Sequence, residues 1–191
     1  MAGAKKTITF VTSNLNKLAE VSAILSDYHV RHVNLDLREI QGDHREIAVD
    51  KCLQAFQSLK SDVIVEDTSL CFNAMNGLPG PYIKDFLRQI GCDGLHKMLA
   101  SFDDKSAQAV CVFAYLPANS TPEATEVQLF EGFCDGNIVA PRYGATKAFG
   151  WDPCFEPVDS EETFAQMSSD AKNAISHRSR ALKSLQQHFQ H

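Results

Sequence analysis

The stretch Thr7-Ile8-Thr9-Phe10-Val11-Thr12-Ser13-Asn14-Leu15-Asn16-Lys17-Leu18 decides the fold. Its opening run, Thr7 to Thr12, is wholly β-branched or aromatic, as a buried strand requires. Ser13 and Asn14 then offer side chains that accept from the first free N–H groups of a helix. Leu15, Leu18, Val21 and Leu25 recur at helical spacing and predict a helix to about Ser26. Working outward, a second strand is expected over 30–35, followed by the polar stretch Asp36 to His44. An amphipathic helix comes next, its apolar side carrying Ala48, Cys52, Ala55, Phe56 and Leu59. Strand and helix alternate, so the chain reads as an α/β protein.

The middle breaks that rhythm. Val63-Ile64-Val65 reads as a short apolar strand that ends at Glu66-Asp67-Thr68, with Leu70-Cys71-Phe72 beyond. Asn76-Gly77-Leu78-Pro79-Gly80-Pro81 reads as a loop in which Gly and Pro forbid regular structure. Tyr82 to Gln89 and Leu95 to Ala100 read as helices. Ala107 to Leu116 and Val127 to Cys134 read as long antiparallel strands joined by a polar loop over 117–124. A short helix and a final helix from about Ser176 close the chain, with Ala181, Leu182, Leu185 and Phe189 on one face. No repeat, low-complexity run or linker interrupts 1–191, so the expectation is one domain whose two lobes are interleaved.

Composition bounds the partners. The 191 residues carry 18 Lys+Arg against 24 Asp+Glu, a net charge of −6, which argues against a basic nucleic-acid-binding surface. Hydrophobic content of 44% with 22% charged residues is ordinary for a folded domain and speaks against disorder. The N-terminal apolar run is too short for a signal-peptide core and no later stretch approaches a membrane span, so a cytoplasmic location without membrane attachment is expected. Six cysteines (Cys52, Cys71, Cys92, Cys111, Cys134, Cys154) lie about twenty residues apart with no C-x-x-C pair, which reads as scattered buried thiols rather than a zinc site.

Five segments have chemical potential. A lysine one turn into a helix, as in Thr12-Ser13-Asn14-Leu15-Asn16-Lys17, can join the helix N–H groups on a phosphate, although the glycines of a Walker loop are missing. A surface lysine behind an ordinary cap explains the same residues. Adjacent carboxylates at a strand end, Glu66-Asp67, are costly without a neutralising cation, and Mg²⁺ suits one or two carboxylates plus phosphates; Glu39 is a possible second ligand. A surface acidic turn is the plain alternative. The loop Gly77-Leu78-Pro79-Gly80-Pro81 leads to Lys84, either as a ligand approach or as a rigid turn. Phe149-Gly150-Trp151-Asp152-Pro153 offers aromatic faces for a base and an acceptor for purine N–H groups, or simply a core anchor. Lys172 and Ser176 stand four apart, as on one helical face, while His177 and Arg178 are cations at a helix start, where an anion or an electron-rich base edge would reconcile them with the dipole.

Taken in order, these segments resemble the inosine triphosphate pyrophosphatase family, and VEDTSLCFNAMNGLPGPYIK (Val65 to Lys84), FGWDPCF (Phe149 to Phe155) and KNAISHR (Lys172 to Arg178) look like its eukaryotic form. The resemblance implies an elongated central mixed β-sheet flanked by helices, two lobes with a deep active-site cleft, and a homodimer. It implies hydrolysis of ITP, dITP and XTP to the monophosphate and pyrophosphate with Mg²⁺, for which Mn²⁺ could substitute, in service of cleansing the nucleotide pool. Carried onto this chain, the resemblance implies that Thr12, Asn14 and Lys17 hold the triphosphate with Lys51 and Lys84, and that Ser13, Leu15, Asn16 and Thr68 are further substrate-binding positions. Glu39 and Asp67 are the implied metal ligands, and Asp67 also activates the water that attacks the α-phosphorus. Phe149, Gly150, Trp151, Asp152, Lys172, Ser176, His177 and Arg178 surround the base, with donors aimed at a 6-oxo group that adenine lacks. Ser13 stands where the family turn usually has glycine, and the stretch Pro141 to Lys147 lies where the family varies. The rivals are a purine-nucleotide sensor that does not cleave and a pyrophosphatase of other modified triphosphates.

Overall fold

In the computed structural model, residues 5–121, 123, 126–144 and 149–190 are described. The strands β1 (Thr7–Val11), β2 (His29–Val33), β3 (Val63–Phe72), β4 (Pro79–Gly80), β5 (Ser106–Leu116), β6 (Gln128–Ile138) and β7 (Phe155–Pro157) form one seven-stranded sheet. The helices are α1 (Leu15–Ile24), α2 (His44–Leu59), α3 (Ile83–Met98), α4 (Ser169–Ile175) and α5 (His177–Gln190). The sheet order is β2-β1-β3-β5-β6-β7, with β4 paired to β3 off that path. It is mixed: β1 runs parallel to β2 and to β3, whereas β3–β4 and β6–β7 are antiparallel. The α/β reading is therefore correct.

The chain divides into two compact units. The first comprises Met1–Asp67, Val112–Glu131 and Arg180–His191. Its core is set by Ile8, Phe10 and Val11 of β1, Val63, Ile64 and Val65 of β3, and Val112 to Leu116 of β5, with Phe10 and Phe113 rings 6.0 Å apart. Ala48, Cys52, Ala55 and Phe56 form the buried stripe of α2, and Ala181, Leu182 and Leu185 that of α5. Asp43 starts α2 with a complete capping box: its carboxylate accepts from the Arg45 and Glu46 N–H groups, and the Glu46 side chain accepts from the Asp43 N–H. The second unit comprises Thr68–Cys111 and Gly132–Ser179, with Leu70, Phe72, Leu95, Leu99, Phe155 and Phe164 among its fully buried side chains.

Several local expectations need correction. Glu66-Asp67-Thr68 is not a turn after a strand; β3 runs through it for ten residues, because lysines neutralise both carboxylates within the fold. Pro79–Gly80 is not irregular but pairs with Cys71 and Leu70, at positions where the missing proline N–H costs the ladder little. The helices expected over 82–89 and 95–100 are, by contrast, two helices within the span Ile83–Met98, separated by a kink at Gly91, where the backbone takes a φ of 64° that a side chain would resist. Leu15 does not join the buried stripe of α1: it is 68% exposed, and Val21 and Leu25 supply the contact. In the expected loop 117–124, positions 122 and 124 lie outside the described residues, as do 145–147 of the variable stretch.

Candidate active site

In the first unit, β1 ends at Val11 and delivers Thr12 to the start of α1. Thr12 Oγ1 accepts from the Asn14 N–H at 3.1 Å, and Asn14 Oδ1 accepts from the N–H groups of Asn16 and Lys17 at 3.0 and 3.2 Å. Three of the N–H groups at this helix start, those of Asn14, Asn16 and Lys17, are thus used by the chain's own cap. Ser13 and Asn16 are exposed, as is Leu15. Ser13 is not among the residues with positive φ, so a side chain at the family's glycine position is unstrained. His32 of β2 holds the same turn, with Nε2 donating to the Thr12 carbonyl at 2.8 Å.

The side chain that leaves this turn is Lys17, whose Nζ lies 2.5 Å from Glu66 Oε2, with the carboxylate only 1% exposed. From α2, Lys51 Nζ donates to Asp67 Oδ1 at 3.1 Å, to the Glu66 carbonyl at 3.2 Å and to Glu39 Oε1 at 3.5 Å. All three protons of that ammonium are engaged. Adjacent strand residues project to opposite sides, and each carboxylate accordingly has its own lysine. Burial pushes the Asp67 carboxyl above its ordinary value, while Lys51 and then Lys17 pull it back. Burial would lower the Lys51 ammonium, but Asp67, Glu39 and Glu66 together outweigh it and hold it above the usual lysine range.

Asp67 Oδ2 is buried and has no hydrogen-bond partner among the described residues. A buried acceptor left over beside a second carboxylate, Glu39, is a donor set that fits a hard divalent cation such as Mg²⁺. Among the described residues no group of three or more His, Cys, Asp or Glu could hold a metal alone. A cation here would therefore depend on oxygens from a ligand as well, which is how Mg²⁺ is commonly held at phosphates.

The second unit carries the aromatic and cationic residues. Asp152 and Lys172 form an ion pair of 2.6 Å with both side chains 8% exposed. Lys172 Nζ lies 5.2 Å and the Arg178 guanidinium 5.7 Å from the Phe149 ring centre, so two cations share that ring. Arg178 is buried and donates to Thr68 Oγ1 at 3.2 Å. The His177 ring packs against Trp151 (5.4 Å, 31°) and Phe164 (6.0 Å, 24°), which also touch each other at 6.4 Å. Gly150 takes φ 58° and is exposed, and Lys84 is exposed on the first turn of α3. Ser176 ends α4 with ψ 154°, its N–H donating to the Lys172 carbonyl at 2.9 Å, and its Oγ accepts from the Ser179 N–H at 3.2 Å at the start of α5.

The structure thus brings Lys17, Lys51, Glu39 and Asp67 together in one unit, and Thr68, Phe149, Trp151, Asp152, Lys172, His177 and Arg178 in the other. Sequence reasoning missed the specific pairing of Glu66 with Lys17, for which two adjacent acids facing two lysines was the available signal. It also missed His32 and Phe164, which lie in no recognisable motif.

Lysine-paired carboxylates on a β-strand of the first unit, and an aromatic and cationic cluster in the second, belong to an α/β protein with a mixed sheet. The model of the Ham1 family matches residues 8–188, and the chain belongs to that family. It is similar to the Ham1 protein of Staphylococcus aureus at 29% identity and TM-score 0.80, covering 97% of this chain and 98% of that one. A HAM1 protein from Coxiella burnetii is similar at 25% identity and TM-score 0.81, with the same coverage. So is a nucleoside-triphosphatase / dITP/XTP pyrophosphatase from Mycobacterium abscessus, at 25% identity and TM-score 0.70, covering 94% of this chain and 98% of that one. Among the described residues no helix is long and apolar enough to cross a membrane.

Proposed function

We propose that this member of the Ham1 family is a nucleoside triphosphate pyrophosphatase that converts ITP, dITP and XTP to the monophosphate and pyrophosphate. The observation that carries the reading is Asp67: a buried carboxylate with one oxygen on the Lys51 ammonium and the other unpartnered among the described residues. Family membership and the activity named for the Mycobacterium abscessus relative support it. The triphosphate is assigned to Lys17, Lys51 and Lys84 with Thr12 and Asn14, and the base to Phe149, Trp151, Asp152, Lys172, His177 and Arg178. Asp67 takes a proton from water as the water oxygen bonds to the α-phosphorus. The bond from that phosphorus to the bridging oxygen breaks, and pyrophosphate leaves with its charge met by the lysines. Glu39 and Asp67 would hold Mg²⁺, or Mn²⁺ in its place, which supplies charge neutralisation at the phosphates.

Buried donors at Lys172 and Arg178 favour an oxo group over an amino group on the base. We place the chain with the eukaryotic form on the wording of its motifs, and we propose a homodimer in the cytoplasm, organised as a single domain with two interleaved lobes. Sedimentation as a monomer at micromolar concentration contradicts the dimer. The activity is tested by pyrophosphate release from ITP, XTP, dITP, GTP, ATP and dUTP with Mg²⁺. Turnover of ITP, XTP and dITP well above that of ATP supports the reading, and ITP no faster than ATP overturns it.

A further inference from the structure

Cys92 and Cys154 are far apart in sequence but meet in the second unit. Cys92 follows the backbone break at Gly91 in α3, and α3 packs on the 3₁₀ turn Asp152–Cys154. The Cys92 thiol donates to the Gly150 carbonyl at 3.6 Å and the Cys154 thiol to the next carbonyl, Trp151, at 3.2 Å. The two thiols thus meet on successive carbonyls of one loop. Both belong to one buried apolar cluster, Cys92 at its edge with 9% exposure and Cys154 at 0%. Cys134 lies in the same cluster, but its thiol turns to the Asp135 carbonyl.

We infer that Cys92 and Cys154 are a two-thiol oxidation site, closed by hydroperoxide to a disulfide that ties α3 to the loop carrying Trp151 and Asp152. The chemistry balances with hydrogen peroxide as the oxidant. The Cys92 sulfur, as thiolate, attacks one peroxide oxygen; the O–O bond breaks, and the departing hydroxide takes a proton and leaves as water. The Cys154 sulfur then attacks the resulting sulfenic sulfur; the S–S bond forms, the S–O bond breaks, and hydroxide leaves with the Cys154 proton as a second water. Two thiols are oxidised, one peroxide is reduced and two waters form. The order of attack follows from the surroundings. Cys92 is the more exposed of the two, at 9% against 0%, and the neighbouring Cys154 thiol holds it below the ordinary thiol range, whereas Cys92 and burial hold Cys154 above it.

The inference stands apart from the proposed catalytic reading, because its primary readout is mass. The whole chain, reduced and then exposed to stoichiometric hydrogen peroxide, is expected to lose about 2 Da without gaining oxygen. A non-reducing digest is expected to join the Cys92 and Cys154 peptides, and dithiothreitol to separate them. Trp151 is the only tryptophan of the chain, so the same oxidation is expected to shift its emission reversibly. Cys92→Ser and Cys154→Ser are each expected to remove both changes. A gain of about 32 or 48 Da at either cysteine in place of the cross-link, a disulfide that maps to another pair, or no change at all overturns the assignment. The digest of the unaltered chain decides the matter even if a variant fails to fold.

Discussion

The Lys51 ammonium stands 3.1 Å from Asp67 Oδ1 at the point where β3 leaves the first unit. Burial raises the Asp67 carboxyl above its ordinary value, and Lys51 and then Lys17 oppose that rise. Activity that requires ionised Asp67 falls as pH drops through its pKa. Removing a neighbouring positive charge raises that pKa further, so the loss then begins at a higher pH. In the pH profile of kcat/KM, the acid limb of Lys51→Met is therefore expected to lie above that of the wild type, whatever its absolute rate. An acid limb that stays in place or moves down contradicts the assignment of that limb to Asp67.

Asp67→Asn keeps the size of the side chain while removing its capacity to take a proton. A loss of about 10²- to 10⁴-fold in kcat is expected, with an unchanged circular dichroism spectrum. Wild-type turnover in the folded variant would remove Asp67 from the mechanism.

Lys17 and Glu66 form a pair of 2.5 Å in which the lysine is 19% and the carboxylate 1% exposed. Breaking such a pair from one side strands a buried charge, so Lys17→Met is expected to destabilise by about 3 kcal/mol in urea unfolding. The double variant Lys17→Met with Glu66→Gln removes the stranded charge and is expected to recover most of that stability. Activity is not expected to recover with it, because the phosphate-facing cation is still missing. Recovery of both would make the pair purely structural.

Asp152 and Lys172 are buried against each other at 2.6 Å. Asp152→Asn frees the lysine from its anion and alters the edge to which the proposed function assigns the base. The ratio of kcat/KM for ITP over ATP is expected to fall at least about tenfold. An unchanged ratio with a lowered rate would place the pair outside base recognition.

At the start of α2, Asp43→Ala is expected to cost about 1 kcal/mol at neutral pH. The Glu46 N–H, and with it that of Arg45, holds the Asp43 carboxyl below its model-peptide value of 3.8. A depressed carboxyl stabilises the fold above its unfolded-state pKa and loses that contribution as pH falls through the folded value. The gap between variant and wild type in thermal unfolding is therefore expected to narrow below pH 3.8. A gap that persists unchanged in strong acid contradicts the cap's ionic contribution.

Where a segment's own pattern matched its environment, the sequence was enough to read it. Thr7 to Val11 as a buried strand and the Ala48, Cys52, Ala55 and Phe56 stripe were legible because period and composition agree with packing. The Glu66-Asp67 strand was not, because its stability comes from Lys17 and Lys51, which reach it from other elements. The chemical segments were legible as motifs, but their internal geometry was not. That Asn14 consumes the helix N–H groups, or that Ser176 ends one helix and starts another, depends on backbone angles that side-chain spacing does not encode.

The site of bond cleavage tests the central claim most directly. ITP hydrolysed in ¹⁸O-labelled water with Mg²⁺ is expected to give pyrophosphate and an inosine monophosphate that carries the single label. Label in the pyrophosphate, or inosine diphosphate and inorganic phosphate as products, would contradict water attack at the α-phosphorus by the Asp67 site.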